Sequence, residues 1–81
     1  MRIHVKLFAV ARDLAGTSEI PLDLPAGATV GVLREALVAR VPALGRLMAH
    51  VKIAVDSRYA VDEDAIGPQA EVAVIPPVSG G

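Results

Sequence analysis

The sequence has no cysteine and no tryptophan, only one phenylalanine and one tyrosine, and no excess of either charge. Without cysteine there is no disulfide, and no side-chain thiolate can serve as nucleophile, persulfide carrier or metal ligand. Two histidines, His4 and His50, are too few for a metal centre built on imidazole, so the chain is expected to hold no metal and no cofactor of its own. Eight basic against nine acidic residues leave a net charge of −1. With so few aromatic rings there is neither a basic stripe nor a stacking platform, which argues against a nucleic-acid partner. No apolar run approaches the ~20 residues of a membrane helix, and Met1-Arg2-Ile3-His4 lacks the apolar stretch of a secretory leader. The expected location is the cytoplasm.

Apolar residues make up 53% of the 81 residues, enough for a packed core and too many for a disordered chain. One domain spanning 1–81 is expected. Ile3, Val5 and Leu7 alternate with Arg2, His4, Lys6 and Phe8, the period of a strand buried on one face. Residues 12–16 suit a short helical turn stopped by Gly16. Residues 18–24 alternate again, with Ile20, Leu22 and Leu24 inward, and Pro21 assigns this strand to a sheet edge. Thr29 reads as the N-cap of a helix whose Val30, Leu33, Leu37 and Val41 recur at helical spacing. Pro42 ends it, and residues 43–48 add a turn that brings Leu44 and Leu47 to the core. Val51, Ile53 and Val55 form a further strand, with a short return at 59–61. Asp62-Glu63-Asp64 reads as a solvated turn, and 71–75 as a last strand stopped by Pro76 and Pro77.

One amphipathic helix set between pairs of strands has a single stripe to bury, so it must cover one face of one sheet. The expectation is an α+β fold of the β-grasp class: a mixed sheet of four to five strands, one main helix on one face, and the first and last strands adjacent at the centre. Residues 76–81 would then leave from the middle of the sheet as a flexible tail. Pro76 and Pro77 stiffen its root, while Gly80 and Gly81, lacking Cβ, suit a narrow channel and leave a terminal carboxylate unhindered. With no thiol anywhere, the Gly81 carboxylate, reached through Val78 and Ser79, is the candidate reactive group. Parity also places Phe8 and Ile75 together on the uncovered face near that root, as a candidate partner surface.

The motifs 5–9 and 11–16, Leu-Pro-Ala-Gly-Ala-Thr-Val at 24–30, Ile-Ala-Val-Asp at 53–56 with Tyr59, and Glu-Val-Ala-Val-Ile-Pro-Pro-Val-Ser-Gly-Gly at 71–81 resemble the small subunit of molybdopterin synthase. That subunit is a sulfur carrier of the ubiquitin-like β-grasp superfamily. The double proline before Ser-Gly-Gly is the most specific feature, since thiamine-type sulfur carriers share the Gly-Gly but usually lack it. Asp56, where the family commonly has Asn, and 67–70, where it has an Asp-Gly-Asp turn, are departures in loops. The resemblance implies that an ATP-dependent, ubiquitin-activating-like adenylyltransferase adenylates Gly81. A sulfur donor protein then converts it to a thiocarboxylate, and the tail delivers sulfur to a cyclic pterin precursor inside the large synthase subunit. ATP is used by the partner, catalysis belongs to the large subunit, and Phe8, Tyr59 and Ile75 fall at the expected subunit interface. A thiamine-type carrier, a ubiquitin-like protein modifier and a plain interaction module remain as rival readings.

Overall fold

The computed structural model describes residues 1–77. Strands β1 (Arg2–Leu7), β2 (Glu19–Asp23), β3 (Lys52–Val55), β4 (Arg58–Ala60) and β5 (Val72–Ile75) form one sheet in the order β2-β1-β5-β3-β4. β1 pairs antiparallel with β2 and parallel with β5; β3 pairs antiparallel with both β5 and β4. The first and last strands are therefore neighbours and β5 is central, as expected of the β-grasp class. Pro21 does lie on an edge strand, where its missing N–H leaves no gap in a ladder.

Helix α1 (Ala9–Ala15) follows β1 directly, α2 (Val30–Arg40) is the main helix, and a 3₁₀ turn (Pro42–Leu44) leads into the short α3 (Gly45–Met48). Their apolar stripes cover one face of the sheet. Ile3, Val5, Leu7, Ile20, Leu22, Ile53, Val72 and Val74 from the strands meet Ala11, Val30, Leu33, Leu37, Leu44 and Met48 from the helical side. This one-sided burial accounts for the alternation of buried and exposed residues along β1 and β2.

Several expectations shift. Phe8 does not extend β1: it keeps an extended backbone (φ −123, ψ 155) but stands as the residue before α1, which begins three residues earlier than the turn expected at 12–16. Gly16 stops α1 in the left-handed region, as expected (φ 74). Val41 lies beyond the last helical residue and is half-buried. Leu47 is half-buried too, while Met48 takes the core position. The tight 3₁₀ turn started by Pro42 advances the phase by 3.0 rather than 3.6 residues per turn, which displaces the inward face. Ile66, 2% exposed, belongs to the core although it stands in a loop.

The acidic turn is more than a solvated loop. The carbonyls of Asp64 and Asp62 accept hydrogen bonds from the N–H groups of Val30 (2.9 Å) and Gly31 (3.0 Å), and Thr29 Oγ1 accepts from Val32 N–H at 3.3 Å. Orphan donors at the start of α2 are thus met partly by its own cap and partly by a segment more than thirty residues on. The fit around Gly31 is close: a Cβ there would stand 3.4 Å from the Asp62 carbonyl oxygen, at the limit of ordinary contact.

Candidate functional site

The uncovered face of the sheet is where the chemistry-bearing positions gather. Strand parity puts Lys6 on β1, Ala73 and Ile75 on β5, Lys52 and Ala54 on β3, and Tyr59 on β4 on this side. Register does the rest: Lys6 sits opposite Ala73, Ala73 opposite Ala54, and Ala54 opposite Tyr59, a continuous row across four strands. The two alanines make a low floor. Tyr59 (68% exposed) and Phe8 (48% exposed) rise at either side, and together with Ile75, Ser57 and Glu71 they line an open groove of about 350 Å³. The structure therefore brings Phe8, Tyr59 and Ile75 into one surface. Phe8 reaches it from the β1–α1 junction rather than from within the strand.

Each wall has a physical reason for its place. The β3–β4 hairpin turns at Asp56 and Ser57, both left-handed (φ 51 and 68), the conformation of a two-residue turn matched to strand twist. Asp56 also clamps the hairpin to the start of β5: its N–H donates to the Glu71 carbonyl at 2.8 Å, and its Oδ1 accepts from Glu71 N–H at 3.0 Å. The Lys52 ammonium lies 5.0 Å from the Tyr59 ring centroid, a cation–π contact over the wall. Lys6 Nζ donates to Glu71 Oε1 at 3.2 Å along the groove's margin.

Towards β2 the same face turns polar. His4 Nδ1 lies 3.1 Å from Glu19 Oε1, and Arg2 Nε donates to Asp23 Oδ1 at 3.1 Å. The Arg2 hydrogen bond, helped by its charge, lowers the Asp23 carboxyl below its ordinary value and raises Arg2 correspondingly. The face is thus divided into a charged half over β2 and β1 and an aromatic, small-residue half over β5, β3 and β4.

The C-terminal segment starts from the aromatic half. Leu7 pairs with Val74 and Lys52 with Ile75, so the end of β5 emerges level with Phe8 and with the start of β3. Pro76 is buried and Pro77 exposed. Val78, Ser79, Gly80 and Gly81, on which the carrier expectation rests, lie outside the described residues. Among the described residues no grouping of His, Asp or Glu could hold a metal ion, and no helix is long and apolar enough to cross a membrane.

Arg34 is the residue whose role sequence reasoning missed. It is half-buried on α2, and its guanidinium donates to Asp62 Oδ1 (2.8 Å), to the Met48 carbonyl (2.7 Å) and to the Val51 carbonyl (3.4 Å). It ties α2 to the acidic turn and to the loop that enters β3, and so braces the strand that carries the groove floor.

Comparison with known proteins agrees with the fold. Residues 5–81 match the ThiS family. The molybdopterin synthase sulfur carrier subunit of Arabidopsis thaliana is 36% identical over 81 residues, covering 100% of this chain and 84% of that protein. Small archaeal modifier protein 1 of Haloferax volcanii is 36% identical over 84 residues, covering 94% of this chain and 97% of that one. The crystal structure of SAMP1 from Haloferax volcanii superposes with a TM-score of 0.91 at 32% identity over 100% of both chains. The fold, though at 17% identity only the fold, is shared with the complex of subunits 1 and 2 of molybdopterin-converting factor from Helicobacter pylori, at a TM-score of 0.72 over 100% of both chains.

Proposed function

This chain belongs to the ThiS family, and from that premise we propose that it is a sulfur carrier for molybdopterin synthesis, loaded at the carboxylate of Gly81. The observation that carries the reading is the aromatic-walled groove of Phe8, Tyr59 and Ile75 at the end of a central strand from which Pro-Pro-Val-Ser-Gly-Gly continues. A partner seated on the groove receives the tail at a defined place, and the glycines let its tip enter a confined active site. In chemical terms, the Gly81 carboxylate displaces pyrophosphate from ATP on an activating enzyme, and hydrosulfide released by a sulfur donor then displaces AMP from the acyl adenylate, its proton passing to solvent. The resulting thiocarboxylate stays ionised at neutral pH and is a better nucleophile than a carboxylate at an electrophilic carbon. The absence of cysteine is consistent with this assignment, because sulfur is then carried on the main chain and nowhere else.

The partners that follow are an ATP-using adenylyltransferase, a sulfur donor and a large subunit like that in the Helicobacter pylori complex, with the cytoplasm as the setting. The test is the intact mass of the chain after co-expression with the activating enzyme and a sulfur source. The expected result is a species heavier by the difference between sulfur and oxygen, absent when Gly81 is deleted; no such species under any loading condition overturns the reading.

The likeness to small archaeal modifier protein 1 favours a second reading, in which the activated Gly81 is passed to lysines of other proteins. Covalent adducts on cellular proteins that depend on Gly81, without a thiocarboxylate form, would select it.

A further inference from the structure

Leu7, 1% exposed, ends β1 in the core, and Ala11, 0% exposed, is back in the core four residues later. Between them the backbone must change from extended to helical and still leave Phe8 outside. It makes the change at one residue. Phe8 keeps the extended conformation (φ −123, ψ 155), and Ala9 adopts φ 51. The Phe8 carbonyl then accepts the first helical hydrogen bonds, from Ala11 N–H at 3.1 Å and Arg12 N–H at 3.4 Å, and no side chain caps this end.

A left-handed alanine costs about 1–2 kcal/mol against the right-handed region, and such strain persists where its surroundings hold it. The other left-handed positions among the described residues have local reasons. Gly16 and Gly27 lack Cβ, and Asp56 and Ser57 form a hairpin turn that calls for positive φ. Ala9 has neither reason. What its conformation does is join two fixed parts: β1, held by strands on both sides, and α1, anchored by Ala11. A rotation of φ at residue 9 displaces one part relative to the other, or displaces the peptide between them, which carries Phe8.

We propose that Ala9 is a positioning residue: its left-handed backbone holds the Phe8 ring out over the groove in its docking orientation before any partner arrives. Pre-organisation of an aromatic anchor removes an ordering cost from association. The inference deepens the sulfur-carrier reading, on which the identity of the partner rests; the order of the ring does not depend on it.

The test uses the fact that Phe8 is the only phenylalanine, so 4-fluorophenylalanine labelling of the full chain reports this ring alone. Three versions are compared: wild type, Ala9→Val, whose β-branched side chain opposes the left-handed region at a position exposed enough to hold it, and Ala9→Asn, whose side chain tolerates that region. Wild type and Ala9→Asn should share one dispersed fluorine resonance. In Ala9→Val it should move towards the free amino-acid position, while thermal unfolding shows the fold intact. Affinity for the large subunit of molybdopterin synthase should fall about three- to tenfold in Ala9→Val and be kept in Ala9→Asn. An unchanged fluorine signal in Ala9→Val overturns the inference whatever the partner does, as does an Ala9→Asn chain that folds but behaves like Ala9→Val. A wild type without affinity for the large subunit, its ring order still governed by residue 9, overturns the sulfur-carrier reading instead.

Discussion

Phe8 and Tyr59 are the chain's only large aromatic side chains, and both stand exposed on one face beside the exit of β5. Aromatics left outside the core add little to a small domain's cohesion, and under the proposed function they are the contact residues. Truncating Phe8 to Ala should therefore leave the unfolding temperature nearly unchanged and weaken binding to the large synthase subunit by about tenfold or more, measured by titration calorimetry. The polar half of the same face behaves differently. Arg2 lowers the Asp23 carboxyl by hydrogen bonding and charge, so the stability contributed by the pair is present above the ordinary carboxylate range and fades as pH falls through and below it. Both groups are exposed, so the effect is small. In a series of urea titrations at falling pH, Asp23→Asn should lie slightly below wild type near neutrality, with the gap closing in acid. Alternation along β1 was enough to place Phe8 on the outer face. It was not enough to show that Phe8 leaves the strand, because backbone φ at Ala9 has no signature in an alanine.

At the scale of elements, α2 depends on help from a distance. Thr29 caps it in the way its sequence position implied, but the carbonyls of Asp62 and Asp64 complete the work and Arg34 fastens the arrangement from the side. Thr29→Ala should cost about 1 kcal/mol and lower the unfolding temperature by roughly 4–8 °C for a domain of this size, read by circular dichroism. The acidic turn was legible as a turn and illegible as a cap, since capping by main-chain carbonyls leaves no mark on residue identity. Similarly, Leu44 was readable as core, whereas the exchange of Leu47 for Met48 followed from the 3₁₀ turn at Pro42–Leu44, a change of pitch that periodicity alone does not report.

For the whole molecule, the uncovered sheet face, the central β5 and the covering helices form one scaffold that fixes the end of β5 beside Phe8 and Tyr59. Its integrity rests on one core. Ile53, 0% exposed in β3, packs beneath the groove floor. Ile53→Ala should cost about 2–5 kcal/mol, a large share of the ~5–15 kcal/mol available to a domain, seen as a lower urea midpoint with an unchanged slope. Binding should then fail through unfolding rather than through lost contact. That separates scaffold from surface, because Phe8→Ala is expected to do the reverse.

The sequence by itself determined the covered and open faces of the sheet, the main helix and its cap, the edge position of β2 and the candidate carrier tail, because each is encoded by local period, by proline's missing donor or by residue type. Only the tertiary structure decided that Ala54 and Ala73 lie side by side as a floor, that the 62–64 turn completes α2, that Arg34 is a brace, and that Phe8 is set by a left-handed neighbour. These are matters of register and of backbone carbonyls meeting across long stretches of chain, and they exist only once a shared core has brought distant segments together.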